Sequence, residues 1–334
     1  MENKPKSINA LMAYMRNEKC IDINGSVQKR KLRYIGYFHG YKGYRYFYNP
    51  SRRITYTKFN EIQAVYDFDM KLKTILYPQV MFLETALKNY TLETILSKTS
   101  SNSFNDIYVK LLNDYKDHSQ NNLKKALNKR LKLRNSIYNI LSYNYGKNNI
   151  VHHYYENDKS IPIWAIFEML TLGTFGDFLS CLNKDTRLSI SKLIGFKRNF
   201  DSDGRLTEII VYTIKDLRNS IAHNNIIFDT RFRKNNINLC INRYITAETN
   251  INSIDFNSIL DYIILIAFIM KTLKCNKKDI LSFINQFEDA CEKFRKLVPA
   301  NIYNQIVYTN TRSKLRTLKE YLWSSWLLLY SMIY

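Results

Sequence analysis

Apolar residues recur along most of this chain at the three- and four-residue spacings of amphipathic helices. Ile8, Leu11, Met12 and Met15 share one side of a short helix within residues 1–20. From Phe59 the pattern lengthens, with Phe59, Ile62, Tyr66 and Met70 at helical spacing. Val80, Leu83, Leu87 and Leu92 carry it past Pro78, where the missing amide predicts a kink. Further helices are predicted near 105–142, 162–182, 205–223, 255–274, 277–297 and 312–332. Asn-, Asp- and Ser-rich loops are predicted near 98–105, 143–160, 183–204 and 224–252. The fold class is therefore all-α, and the scarcity of Gly (9) and Pro (5) argues against a turn-rich β architecture. Trp164, Trp323 and Trp326 lie on apolar helices and are expected to fill core.

Residues 23–60 break this pattern. Lys29, Arg30, Lys31, Arg33, Lys42, Arg45, Arg52, Arg53 and Lys58 alternate there with seven Tyr and three Phe, without one acid. Gly36, Gly40 and Gly43 rule out a long helix, so short helices, turns and a small hairpin are expected. Cations for phosphates beside flat rings for unstacked bases suit single-stranded or structured RNA. An aromatic mini-core whose cations face solvent is the alternative. A second basic stretch, with Lys124, Lys125, Lys129 and Arg130, either tracks a phosphate backbone or is a solvated helix face.

Composition changes the picture in two ways. Over 334 residues, Lys and Arg outnumber acids 50 to 29, giving a formal charge of +21. Part of that excess reflects the codon bias of an AT-rich genome, but a field of this size attracts nucleic acid, anionic membranes or acidic proteins. The five cysteines are scattered with no CxxC pair or Cys/His cluster, so neither a disulfide framework nor a bound metal is expected, and a reducing cytoplasm fits. His152 and His153 with Glu156 make only a weak metal candidate, better read as loop surface. No cofactor is implied. The apolar stretches Ile259–Met270 and Trp326–Tyr334 fall short of the roughly 20 residues that span a bilayer, so buried helices and no membrane partner are expected.

Candidate chemistry concentrates in Leu206–Asn224, LTEIIVYTIKDLRNSIAHN. At about 100° per residue, Leu217, Ile210, Ile221 and Ile214 fall in one core-facing arc, while Arg218, Asn219 and His223 lie about 120°, 220° and 260° from Leu206. Between them stands Ala222, small enough to admit a second helix. RNA is cleaved when its own 2′-OH attacks the adjacent phosphate, which needs no metal. An imidazole with a free pKa of about 6.5 can move the proton. A guanidinium can stabilise the charge gathering on phosphorus, and the Asn219 amide can orient either. The competing reading is a helix C-terminus at which His223 and Asn224 cap carbonyls. Arg33 and His39 show a comparable spacing but lack the amide and the amphipathic helix.

The string RNSIAHN at 218–224 resembles the RN-x-x-AH motif of the abortive-infection (Abi, AbiD/AbiF-like) proteins within the HEPN superfamily of all-helical ribonucleases. RYIGYFHGYKGYRYFYN (33–49), FNEIQAVYDFDMKLKTILYPQVMFLETALK (59–88, with the step Tyr66–Asp69) and IPIWAIFEMLTLGTFGDFL (161–179) resemble other blocks of that family, in the same order. The resemblance implies a HEPN-type helical bundle and metal-free RNA cleavage with Arg218, Asn219 and His223 as the catalytic set. It also implies a homodimer that pairs two such motifs and a phage-defence or toxin–antitoxin role. A small noncoding antitoxin RNA would then be a partner beside the target RNA. The basic residue that many relatives carry soon after the histidine is here supplied by Arg231, and Glu168 in the Trp block is open to a packing, capping or catalytic role. The expected organisation is a basic, Tyr-rich segment at 1–58, a core at 59–245 and packed C-terminal helices at 246–334. A non-catalytic RNA-binding protein, in which the motif organises RNA or a dimer interface, is the competing function.

Overall fold

The computed structural model describes residues 6–233 and 239–330, with no side-chain description for 324–330. Fifteen α-helices occur among the described residues, and no strand. Helix α1 (Ile8–Lys19) is capped by the Ser7 hydroxyl and ends at Cys20 in the left-handed region. Helix α2 (Gly25–Ile35) runs into a π-helical segment, Gly36–Lys42. The expected hairpin is present in small form: Phe47 N–H donates to the Arg52 carbonyl and Ile54 N–H to the Arg45 carbonyl.

Helix α3 (Phe59–Thr99) is the scaffold, running 41 residues without ending at Pro78. Glu61 holds its start by accepting from the backbone N–H of Thr57 and Lys58. The helix expected at 105–142 is three pieces: α4 (Phe104–Lys110), a 3-10 turn at Asp114–Asp117, and α5 (Gln120–Asn144). The helix expected at 162–182 is two, α7 (Ile163–Met169) and α8 (Leu172–Cys181), because Leu170 turns extended and the Thr171 hydroxyl caps α8. Three predicted loops contain helices: α6 (Asn149–Glu156), α9 (Lys184–Ile194) and α11 (Leu239–Thr249). The polar residues that signalled loops there include N-caps, Asn148 for α6 and Asn183 for α9. His152 accordingly sits on α6, beside Glu156, rather than on a loop.

Helix α10 (Leu206–Ala222) matches its prediction closely. Then follow α12 (Ile259–Thr272), α13 (Lys277–Arg295), the unforeseen α14 (Ala300–Ile306) and α15 (Thr311–Tyr330). Every residue from Ile259 to Met270 is buried, so α12 is the innermost helix. Its Asp261 is matched by Lys314 of α15 at 2.9 Å. One buried cluster extends from Met12 to Leu322 and crosses both boundaries drawn from sequence. Trp164 and Trp323 do not join it: they are 41% and 58% exposed, and the Lys277 ammonium lies 3.0 Å over the Trp323 ring. Trp326 and the run to Tyr334 lie outside the described side chains. No helix among the described residues is long and apolar enough to cross a membrane.

Asp114 joins the 3-10 turn to α9 and α10. Its carboxylate meets Arg187 at 2.6 Å, Arg205 at 3.0 Å and His118 at 2.8 Å. Burial pushes the carboxyl up, yet hydrogen bonds from His118 and Arg187 and the charges of Arg187 and Arg205 hold it below the usual range. A depressed folded-state value means stability that is present above the unfolded pKa, about 3.9, and lost as pH falls through the folded value. Asp114→Asn is therefore expected to be less stable than the parent near neutrality, with the gap closing below about pH 4. Urea midpoints measured across that range would contradict this if the gap stayed constant.

Candidate active site

Helix α10 packs most intimately on α8. A Cβ on Gly176 would lie 2.8 Å from the Tyr212 ring, so only glycine allows this approach, and Tyr212 donates to Asp177 across it. The close packing holds the last two turns of α10 over the break between α7 and α8. There the polar face of α10, the middle of α3 and residues Phe167–Gly173 enclose a cavity of about 680 Å³. Arg218, Asn219 and His223 all line it, so the three residues chosen from sequence meet in one site. The cavity wraps the polar side of the helix. Residues about 140° apart on α10 therefore reach it from a single chain.

Arg218 is half-buried, with its Nε 3.4 Å from Glu84 Oε2 of α3, an ion pair without hydrogen-bond geometry. Asn219 and His223 are exposed. His223 is the C-cap of α10, so the capping expected of the backbone and a side chain free for chemistry coexist. Glu84 also accepts from Lys88 at 3.1 Å, and Lys88 donates to the Leu170 carbonyl at 2.7 Å, a group freed by the helix break. Three carboxylates (Glu84, Glu168, Asp216) and three cations (Lys88, Lys215, Arg218) thus surround the Asn and His, with Lys215 3.5 Å from Asp216. Glu84, Lys88 and Lys215 were missed in the sequence. Glu84 and Lys88 were signalled by a pair of charges one turn apart within the apolar stripe Val80–Leu92, whereas Lys215 carried no such signal. Among the described residues no group of three His, Cys, Asp or Glu could hold a metal ion.

The turn after His223 is latched from behind. Asn224 sits at φ +54°, and its Oδ1 accepts from Lys73 at 2.9 Å. Lys73 pairs with Asp69 at 2.9 Å. Asp69, fully buried, also accepts from the backbone N–H of Ile227 and Phe228 and from the Tyr44 hydroxyl. One carboxylate therefore ties the N-terminal segment, α3 and the motif turn together. Burial first, and then the Asp69 charge, keep the Tyr44 phenol protonated far above its usual range.

The cations chosen from sequence lie elsewhere. Arg30, Arg33, Arg52 and Arg53 are exposed, and Lys29, Lys31, Lys42 and Arg45 half-buried, around a mini-core of Tyr41, Tyr44, Phe47 and Tyr56. The aromatic mini-core is thus present, with exposed and half-buried cations around it. Lys124, Lys125 and Lys129 are exposed on α5. Arg130 is stacked 3.7 Å over the Tyr108 ring and donates to its carbonyl. Lys125, Lys129 and Arg130 line a separate cavity of about 400 Å³ at the far end of the α8–α10 pair, beside Cys181 and Arg205. Arg231 is engaged inside the fold: it pairs with buried Asp229, donates to the Gly43 and Tyr46 carbonyls, and covers the Tyr46 ring.

A search of curated proteins returned no match, and neither did a search of solved structures. A family model, described as Abi-like protein, matches residues 30–229, more than half of the chain, from the basic arm through the motif turn. On that match the chain belongs to the Abi-like, abortive-infection family.

Proposed function

We propose that this abortive-infection protein is a metal-independent, HEPN-type endoribonuclease acting in phage defence in the cytoplasm, with Arg218, Asn219 and His223 as its catalytic set. One observation carries the reading: these three residues line a single open cavity that also holds Lys88 and Lys215. Such a site can seat an RNA phosphodiester. His223 takes the proton of the 2′-OH, the 2′-oxygen bonds to phosphorus, and the P–O5′ bond breaks, leaving a 2′,3′-cyclic phosphate and a 5′-hydroxyl. Arg218 and Lys88 stabilise the charge that gathers on the phosphoryl oxygens.

One imidazole acting alone must serve the 2′-oxygen and then the leaving 5′-oxygen on the far side of phosphorus, a slower course than two acting together. A two-fold partner supplies the second, and Asn219, Ala222 and His223 are all exposed where such a copy would meet the first. The Arg218–Glu84 pairing favours a second reading, in which the motif only organises RNA. Cleavage in chelator by the parent but not by His223→Ala separates the two.

The exposed arm supplies affinity in this scheme. Neutralising Arg30, Lys31, Arg52 and Arg53 together is expected to weaken RNA binding and to flatten its salt dependence, since fewer counterions are released. An unchanged slope of log affinity against log salt would assign the arm to structure alone.

A further inference from the structure

The turn that follows the motif also walls a second depression, which shares no lining residue with the cleavage cavity. Its other wall is the π-helical segment Gly36–Lys42. Seven consecutive π-helical residues are unusual, since the π geometry normally appears as a single-turn bulge and often at functional sites. Here it turns Phe38 and His39 outward. Phe38 is 73% exposed, with Lys42 Nζ 4.4 Å over one face of its ring. His39 is exposed but held edge-on between Tyr44 and Tyr66, with ring centroids 6.3 and 6.2 Å away. Exposed Asn225 and largely buried Ser220 (6% exposed) line the same space of about 440 Å³, and Arg231, locked by Asp229, forms part of the lining. The fit is close: a Cβ on Gly43 would come within 2.8 Å of Ile226 Cδ1, so the glycine lets the arm seat against the motif turn.

We propose that this depression is a nucleobase subsite that selects the base next to the scissile phosphate, a proposal that rests on the RNA reading of the motif. Ser220 follows Asn219 directly and Asn225 lies two residues beyond His223, so the end of α10 and its turn contribute to both depressions. A large, solvent-exposed ring offers the stacking face that every base accepts. A primary amide beside a hydroxyl and an imidazole supplies the paired donors and acceptors that distinguish one base edge from another. Lys42 is positioned for the phosphate of the same nucleotide. This gives His39, which shares the Arg-to-His spacing with Arg33 but not its helix, a place in recognition rather than in chemistry.

The test uses the full-length protein and short single-stranded homo-oligonucleotides of the four bases, 2′-O-methylated throughout so that binding is read without cleavage. The parent is expected to prefer one base by tenfold or more. Phe38→Ala should lower affinity for that oligonucleotide about tenfold with no change in salt slope, because stacking releases no counterions. Phe38→Trp should retain the affinity, which excludes a general loss of fold. Asn225→Ala should bring the four affinities together. Equal affinities for all four bases in the parent, or a Phe38→Ala protein that binds like the parent, would overturn the proposal. Base-selective binding by a protein that cleaves no RNA would uphold the subsite and refute only the ribonuclease reading.

Discussion

His223→Ala and Arg218→Ala are each expected to lower RNA cleavage by about 10²–10⁴-fold, the range that a positioned proton-transfer group or charge stabiliser contributes. The fold should survive both changes. His223 is exposed, and Arg218 is half-buried with only an ion pair lacking hydrogen-bond geometry. Thermal unfolding and far-UV circular dichroism should therefore match the parent. His223→Ala leaves the Glu84–Lys88 pair intact, so its loss of activity reports on the imidazole alone. Arg218→Ala leaves the Glu84 carboxylate facing only Lys88, which makes the cavity less attractive to phosphate as well as less able to stabilise charge. Its defect should therefore appear in KM and in kcat. Heterodimers formed by co-expressing the two variants carry one intact Arg and one intact His, and a site shared across a two-fold axis predicts partial recovery. Parent-like cleavage by His223→Ala would remove the histidine from the mechanism, and a monomer cleaving at full rate would remove the dimer.

Asp69→Ala is expected to destabilise the fold far more than Asp114→Asn, Arg218→Ala or His223→Ala. The carboxylate has no exposure and accepts from two backbone amides, a phenol and a lysine. Removing one member of a buried ion pair costs about 3–5 kcal/mol, because the remaining charge and donors are left buried without partners. Asp69→Asn keeps an acceptor oxygen in the same volume and should cost less. A midpoint from chemical denaturation that shifts by the equivalent of under about 1 kcal/mol for Asp69→Ala would mean that water or a rearranged turn replaces the latch. Because Lys73 and Asn224 link the latch to His223, a destabilised Asp69 variant should also cleave poorly at temperatures where it is still folded.

What the sequence disclosed follows from the range of the interactions involved. Helix α10 was legible in its limits and its faces, because its apolar stripe is local and the outward arc of Asn219 and His223 follows from helical periodicity alone. The break at Leu170 was not. IFEMLTLG is apolar and lacks Pro or Asn, so only the Thr171 cap marked it, yet that break frees the carbonyl that holds Lys88. Glu84 and Lys88 looked like blemishes in a core stripe until the fold set Arg218 against them. Asp69 was visible only as part of a family-like block, since its partners Ile227 and Phe228 stand 158 and 159 residues away. The loops predicted at 143–160 and 183–204 failed for a simpler reason: the same Asn residues that favour turns also start helices.

Cleavage in this cavity by the substrate's own 2′-OH, without a metal, leaves a chemical record in the ends of the cut RNA. End-group analysis of RNA cut by the purified full-length protein in excess EDTA reads that record. Undiminished cleavage is expected, leaving 2′,3′-cyclic phosphate and 5′-hydroxyl ends, with no cutting at a position carrying a 2′-deoxy sugar. Cleavage that stops in EDTA and returns with magnesium, or that leaves 5′-phosphate ends, would show that the 2′-OH and the metal-free site do not carry the reaction.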